Sequence, residues 1–519
     1  MDTILLGFST LFAPITIAFL LLGVFLGLII GSVPGLNENI AFAVFLPFSF
    51  ALEPGSALAL MVGVYCATAV GGSIPAIMLK VPGTASAVLT AVDGNTMARK
   101  DKANTAVSIA VSSSVFGGLT SSLVLLFFAP TLAGFALRFG YVENFALCVL
   151  GLSAVIGMLE KNVLKGFLSG ILGLMIATVG LSLETGYPRF TFDNPNLYEG
   201  VPFVPMLVGL FGITAALELV EDILSSKRNQ QALKEIPRIK GSLLPDSQLI
   251  KRLLPTWCTA SAIGNVVGVL PGAGMIMAIY LAYNQAANRY KHKFSKNNNA
   301  TEWGEGTPEG IASPEAANNA VVASSMVPLL ALGIPGNSVS ALFIGALMIH
   351  GMVPGPLLFM NNADIAWMII CAFFVANLVM GPFAIVVVKY VSGLIYKLPK
   401  FVLVPTIILL CLSGAYADGN SIFNIWVAVA SGIFGYLLNK FSIQTSPLIL
   451  ALVLGEQLED SFSNSMTLSD GNLLIFFDFY NHPISASLMI ASILFTLLPI
   501  MKFINKTRTN IHLCSAENN

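Results

Sequence analysis

Apolar runs of near membrane length dominate the chain, and a prolyl-glycyl break recurs inside them in each half. The runs at 15–30, 56–79, 203–220, 365–388 and 485–503 approach or exceed the length a helix needs to cross a hydrocarbon core. None alternates with a period of two, so they predict helices and not the strands of a transmembrane barrel. The interruptions recur in order. Gly27-x-x-x-Gly31-x-x-Pro34-Gly35 near the start is matched by Gly264-x-x-x-Gly268-x-x-Pro271-Gly272 after the midpoint. Val81-Pro82-Gly83-Thr84 is matched by Ile334-Pro335-Gly336-Asn337. Paired breaks at corresponding places in two halves predict an internal duplication, and such breaks mark the substrate site of a secondary transporter.

Composition narrows the class. With 55% hydrophobic and 10% charged residues over 519 positions and a mean hydropathy of +0.81, the chain has too little polar surface to cover a soluble globule of its size. The expected fold class is an all-α polytopic integral membrane protein, built of two inverted-topology repeats with broken or re-entrant helices, in about 10–12 transmembrane segments. The expected domains are a first transmembrane repeat over 1–224, a basic cytoplasmic linker over 225–252, a second repeat over 253–505 and a cytoplasmic tail over 506–519. No basic residue precedes Lys80, so the N-terminal segment lacks the basic region of a cleaved leader and is expected to be retained. The six cysteines show no CxxC spacing and lie mostly in apolar segments; free, buried thiols are expected.

Charge fixes an expected orientation. Twenty-seven acidic residues against 26 basic ones suggest no polyanion or nucleic-acid partner, so the distribution carries the information. Lys227, Arg228, Lys234, Arg238, Lys240, Lys251 and Arg252 crowd the 225–252 stretch, which the positive-inside rule assigns to the cytoplasm. The basic loop 289–296 (Arg289, Lys291, Lys293, Lys296) corresponds to 51–56, which has no Lys or Arg. After the second break the bias reverses, with Arg99, Lys100 and Lys102 against none in 351–363. Equivalent loops of opposite bias predict repeats of opposite orientation. Counting from there puts the N-terminus outside and the C-terminus inside, with Lys161, Lys165, Lys389, Lys397, Lys400, Lys440, Lys502, Lys506 and Arg508 cytoplasmic and Arg138 and Arg189 as exceptions. The aromatic, Asn/Asp-rich stretches 187–202 and 470–483 are then outer loops suited to an interface or a partner.

The candidate chemistry sits at the breaks. Proline removes an amide donor and glycine permits a bend, so each pair should unwind a helix and leave backbone groups to face protein, ions or water. Half-helix starts attract anions, and half-helix ends offer carbonyls to cations. Pro82, Gly83, Thr84 and Ser86, with Pro335, Gly336, Asn337 and Ser338, are the candidate substrate-binding residues. Pro34, Gly35, Asn37, Asn265, Pro271 and Gly272 are the candidates for the coupling cation, Na⁺ or H⁺. Other residues have blander readings. A lone G-x-x-x-G more often packs helices. Glu38 and Lys80 either pair across the site or face water, with Lys80 snorkelling. His350 reads as structural sooner than as a proton relay, and the Glu456, Glu459, Asp460 cluster as a solvated helix end. The polar stretch 297–315 matches no calcium loop and reads as a mobile loop leading into Pro314-Glu315-Ala316-Ala317-Asn318-Asn319-Ala320. There Asn318 and Asn319 could offer amide oxygens to an ion.

At these residues the chain resembles the large membrane subunit of the tripartite tricarboxylate transporters, the TctA type. The matching stretches are Gly71-Gly72-Ser73-Ile74, Val81-Pro82-Gly83-Thr84, Asp93-Gly94 with Met97-Ala98-Arg99-Lys100, the Pro314 to Ala320 motif just given, Leu332-Gly333-Ile334-Pro335-Gly336 and the GALMIHGMVPGP run at 345–356. The chain departs from the family pattern at Asn37-Glu38, at Lys80 and at Asp93-Gly94-Asn95-Thr96. The resemblance implies ion-gradient-driven uptake of a di- or tricarboxylate by a permease in the bacterial inner membrane. It also implies a small membrane subunit of the TctB type and a periplasmic binding protein of the TctC type. The alternative within transport is a carrier or exporter of another small organic anion working without a binding protein. An enzyme would need a nucleophile–base or metal constellation, which the scattered Cys and His do not make; a passive channel is the remaining class.

Overall fold

The computed structural model describes residues 2–157, 163–182, 184–225, 243, 245–272, 274–294, 301–391, 393, 400–497 and 501. Lys161, Lys227, Arg228, Lys234, Arg238, Lys240, Lys296, Lys397, Lys502, Lys506, Arg508 and Cys514 lie outside the described residues, as do most of the expected linker and the whole expected tail. The chain begins with α1 (Asp2–Leu11), α2 (Pro14–Gly31) and α3 (Glu38–Phe45), the last running into a 3-10 turn, Leu46–Ala51. Next come α4 (Pro54–Gly71), α5 (Ser73–Leu79), α6 (Val88–Met97), α7 (Ala103–Ala136), α8 (Tyr141–Gly157) and α9 (Val163–Ala177). A two-residue pair of strands, β1 (Gly180–Leu181) and antiparallel β2 (Pro188–Arg189), precedes α10 (Phe203–Val208) and α11 (Thr214–Ser225). Then follow α12 (Ser247–Val269), α13 (Gly274–Phe294), α14 (Pro308–Ser324), α15 (Met326–Leu332), α16 (Ser338–Ile349), α17 (Pro356–Asn361) and α18 (Ala363–Val386). The chain continues with α19 (Lys400–Ala417), α20 (Ile422–Lys440) and α21 (Ser446–Leu468), and α22 (Pro483–Leu497).

Six helical stretches among the described residues are long and apolar enough to cross a membrane, and six shorter apolar helices accompany them. At each of the four paired prolyl-glycyl breaks the helix stops: α2 gives way to α3 across Pro34-Gly35, α5 to the turn before α6 across Pro82-Gly83, α12 to α13 across Pro271-Gly272, and α15 to α16 across Pro335-Gly336. The chain is therefore an all-helical, multi-pass membrane protein with broken helices.

Two compact units emerge. One comprises 1–134, 204–270 and 274–436; the other comprises 135–203, 271–273 and 437–519. In the first, α4 and α14 are buried along nearly their whole length, and each is crossed closely by a glycine-bearing partner. On α2, a Cβ at Gly31 would stand 2.5 Å from the Thr68 carbonyl oxygen of α4; on α12, a Cβ at Gly264 would stand 2.5 Å from the Ala317 carbonyl oxygen of α14. Small residues let the backbones touch, which gives dispersion contacts where lipid offers no hydrophobic drive.

The second unit packs α8 and α9 against α21. Glu459 lies within α21 and forms a two-pronged ion pair with Arg189 of β2, at 2.6 and 3.0 Å. The acidic cluster is thus not a solvated helix end, because α21 runs on to Leu468. Tyr187, Phe192 and Tyr480 stand exposed in this unit. Four cysteines, Cys66, Cys148, Cys371 and Cys411, are free and buried as expected, but Cys258 is exposed on α12.

The crossings make a prediction. Gly63 of α4 would place a Cβ 2.5 Å from the Leu20 carbonyl oxygen, whereas nothing stands within 4 Å of a Cβ at Gly134. Gly63→Val should destabilise by at least about 1–3 kcal/mol, whereas Gly134→Ala should be neutral or stabilise by up to about 1 kcal/mol. Thermal unfolding of the purified protein in detergent reads both; equal melting temperatures would contradict the close crossing.

Candidate functional site

The two breaks that follow α5 and α15 are built alike. Each follows a seven-residue helix that ends in a left-handed residue, Lys80 (φ 60°) after α5 and Gly333 (φ 75°) after α15. Each then doubles back on the residue that precedes its helix. The Gly83 amide donates to the Gly72 carbonyl at 3.1 Å, and a Cβ at Gly336 would stand 2.7 Å from the Ser325 carbonyl oxygen. Gly83 and Gly336 are required by this contact, since a side chain at either would meet backbone. The second loop also closes its helix, with Gly333 N–H on Leu329 and Ile334 N–H on Pro328, the carbonyl capping that an unwound end needs.

Around these loops lie the polar side chains. Thr84 and Ser86 are buried and share a hydrogen bond of 2.8 Å, and the Ser86 hydroxyl donates to Glu38 at 2.8 Å. Glu38, at the start of α3, is itself buried; it takes this hydroxyl in place of Lys80, which is exposed. Asn337 caps α16 through a full capping box with Ser340, and its Nδ2 donates to the Tyr65 hydroxyl at 2.8 Å. The Tyr65 hydroxyl lies 3.2 Å from Ser325 Oγ. Phe42 of α3 packs on Phe343 of α16 at 5.8 Å, so these two capped helices lie side by side. Of the expected substrate residues, Thr84 and Ser86 join one buried cluster and Asn337 another, both on α4 and its neighbours; Ser338 opens α16, and Pro82, Gly83, Pro335 and Gly336 form the loops.

The expected cation residues are not gathered together. Asn37 caps α3 by accepting from the Ile40 amide at 3.0 Å, and with Gly35 it lines a cleft of about 430 Å³ whose other wall carries Glu218, Glu221 and Asp222 of α11. Pro34 adjoins Gly35 in the same turn. Asn265, on α12, reaches Thr120 of α7 at 3.5 Å. Pro271 and Gly272 fall in the second unit, where Gly272 lies against Val155. His350 ends α16, and its Nε2 has no hydrogen-bond partner among the described residues.

The sequence reading missed how early α14 begins. It was expected as loop to Glu315, yet the helix starts at Pro308 and buries Glu309, Ser313, Glu315, Asn318 and Asn319. Its start is held from another helix: Asp93 of α6, fully buried, accepts from the amides of Gly306 (3.0 Å) and Thr307 (2.7 Å), from the Thr307 hydroxyl (2.8 Å) and from Tyr283 (3.2 Å). A carboxylate there satisfies unpaired amides and complements the helix dipole. Arg252 of α12 adds a two-pronged pair with Glu309 at 2.8 Å for each bond. Nearly two turns further on, Glu315 is fully buried and accepts from Thr90 of α6 and, at 2.8 Å, from Ser114 of α7. The available signal was Pro308 at a helix start and the i, i+3, i+4 spacing of Glu315, Asn318 and Asn319.

Residues 17–450 match the description "Tripartite tricarboxylate transporter TctA family". The chain belongs to the TctA family. This family is one of transporters and not of enzymes, and the expected membership is thereby established. Two Agrobacterium vitis proteins are similar to this TctA member. An uncharacterized 52.8 kDa protein in the TAR-I ttuC' 3' region is 34% identical over 503 residues, 96% of each chain. An uncharacterized protein in the TAR-II ttuC' 3' region is 33% identical over 251 residues, 48% of this chain and 98% of that protein.

In this TctA chain Asp93→Ala should lower stability by about 2 kcal/mol, since it removes a cap and leaves amides unpaired. Amide hydrogen exchange at 306–310 should quicken with it; unchanged exchange there would show that α14 starts without Asp93.

Proposed function

We propose that the chain is the large permease subunit of a tripartite transporter that takes up a di- or tricarboxylate, driven by a cation gradient. The observation that carries this reading is the pair of unwound loops, 80–84 and 333–337, which bring the uncharged donors Thr84 and Asn337 to the approach of helix starts. Helix starts and neutral hydroxyl or amide groups suit a carboxylate that must also leave. Thr84, Ser86, Asn337 and Ser338 are its ligands, with Pro82-Gly83 and Pro335-Gly336 shaping the backbone around it. Gly35 and Asn37, with Pro34 adjoining, line the acidic cleft by which the coupling cation reaches the protein; Asn265, Pro271 and Gly272 are the corresponding elements of the other half.

The two halves, 1–224 and 253–505, are on this reading inverted repeats joined by the 225–252 linker. Support comes from the matching registers. Gly83 meets Gly72 as Gly336 meets Ser325, Gly31 meets Thr68 and Gly71 as Gly268 meets Val321 and Ser324, and Lys80 and Gly333 are the left-handed ends. The permease sits in the bacterial inner membrane with its N-terminus outside and its C-terminus in the cytoplasm. A TctB-type small membrane subunit and a periplasmic TctC-type binding protein complete the system, the latter delivering the carboxylate.

Uptake of labelled citrate and of a labelled dicarboxylate such as succinate by cells expressing all three subunits tests the site. Asn337→Asp keeps the helix cap but exchanges an amide donor for a negative charge, and should cut uptake at least about tenfold, equivalent to 1.4 kcal/mol, with normal protein in the membrane. Thr84→Val should reduce it in the same way. Full uptake in both variants would remove these loops from the substrate site.

A further inference from the structure

The strongest unassigned feature is a polar pocket of side chains buried where α4, α7, α14 and α18 meet. Glu315, Asn318 and Asn319 share one face of α14, and each is at most 1% exposed. Asn377 of α18 is fully buried as well. The face of α7 opposite them makes room and makes contacts turn by turn. Ser114 donates to Glu315 and Ser121 to the Asn319 carbonyl. Between them, Gly117 lies against the Ala316 backbone, and Gly118 against the Asn377 amide, closer than any side chain would allow.

The asparagines show which atoms remain open. Asn318 Nδ2 donates to the Ala69 carbonyl at 3.4 Å, and Asn377 Nδ2 donates to the Phe373 carbonyl at 2.8 Å and to Ser122 Oγ at 3.1 Å. Those bonds turn the amide oxygens the other way. Neither Asn318 Oδ1 nor Asn377 Oδ1 takes a hydrogen bond from any described group, and both side-chain atoms of Asn319 are likewise without one. Asn318 of α14 and Asn377 of α18 reach Ala69 and Cys66, three residues apart on α4, so the residues with open oxygens, on two helices, flank one turn of α4.

Buried polar oxygens without donors are costly, and several in one place beside a carboxylate point to a common ligand. The Glu315 carboxylate and the open amide oxygens of Asn318 and Asn377 disfavour an anion. A proton can neutralise Glu315 but cannot serve amide oxygens on other helices. A hard cation can serve all of them at once, and a single nearby carboxylate on α14 balances a monovalent one. We propose that Glu315, Asn318 and Asn377, with Asn319 beside them, form a buried Na⁺ site. It rests on the reading of the chain as a cation-coupled carrier, and it places the ion on the helix adjoining the Ser325 and Asn337 loop. Ion occupancy would then set how α14 and α15 pack, and through Ser325 and Tyr65 how the Asn337 donor is aimed.

The test needs no carboxylate and no uptake. The purified full chain is melted in detergent while NaCl replaces choline chloride or KCl at constant ionic strength. The wild type should show a saturable rise in melting temperature with Na⁺ and none with K⁺. Asn318→Ala and Asn377→Ala should each raise the half-saturating Na⁺ concentration about tenfold, and Glu315→Gln should abolish the response. If Glu315→Gln does not fold, the two asparagine variants on separate helices carry the test. A wild-type response that both asparagine variants leave unchanged would put the ion elsewhere and overturn the proposal. A wild type that ignores Na⁺ but is stabilised by acid would assign Glu315 to a proton, with Glu38, Tyr65, Cys66 and Asp93 as the neighbouring titratable groups, and would overturn it equally. Loss of carboxylate uptake in the Asn337 and Thr84 variants has no bearing on this readout, so the two proposals fail separately.

Discussion

Unwound backbone in a hydrocarbon layer must find its hydrogen bonds inside the protein, and this requirement governs most of what the chain does. Each break removes an amide by proline and bends at glycine, and then has to be satisfied by something nearby. The loop after α15 does so with carbonyl capping behind it and a capping box in front of it. The loop after α5 folds onto Gly72. Asn337 serves the capping box with its oxygen and reaches Tyr65 with its Nδ2, while Thr84 and Ser86 bond each other and Glu38.

The second consequence is a polar helix in the interior. α14 is buried almost throughout although it carries two carboxylates, two adjacent asparagines and several serines. It is tolerable there because its amides at the start are met by Asp93, its first carboxylate by Arg252 and its second by hydroxyls of α6 and α7. Glycines on α7 and α12 bring those partners close enough to reach. A fully paired polar core is rigid, whereas one with open oxygens is poised for a ligand. α14 has both kinds of position, paired at its start and open at Asn318 and Asn319.

The legible part of the fold was the part that depends on local chemistry. A Pro-Gly pair inside an apolar run stops a helix, so all four breaks were readable, as was the burial of most thiols within apolar runs. The glycines of Gly27-x-x-x-Gly31 and Gly264-x-x-x-Gly268 also behaved as packing residues, the commoner role for that spacing. What could not be read was tertiary. Tyr65 is one polar atom in an apolar run until Asn337 and Ser325, far along the chain, come to meet it. Glu309 and Glu315 looked like loop residues because Gly, Pro and Asn precede them, and only the cap from Asp93 and the pair with Arg252 make a buried helix of that stretch. Glu459 looked solvated because its partner Arg189 is remote in sequence. The basic stretch 289–296, taken as a loop, is helical to Phe294, since Lys and His at a helix C-terminus complement the dipole.

The proposed transport requires two halves that enter the membrane from opposite sides and meet at their unwound segments. Single cysteines placed at 51–56 and at 289–294, in an active background free of native cysteines, can be challenged with a membrane-impermeant maleimide in intact cells and in inverted vesicles. Opposite accessibility, with 51–56 reacting from outside and 289–294 from the cytoplasm, is the predicted result. Reaction of both segments from the same side would contradict the inverted arrangement and, with it, the paired carboxylate site.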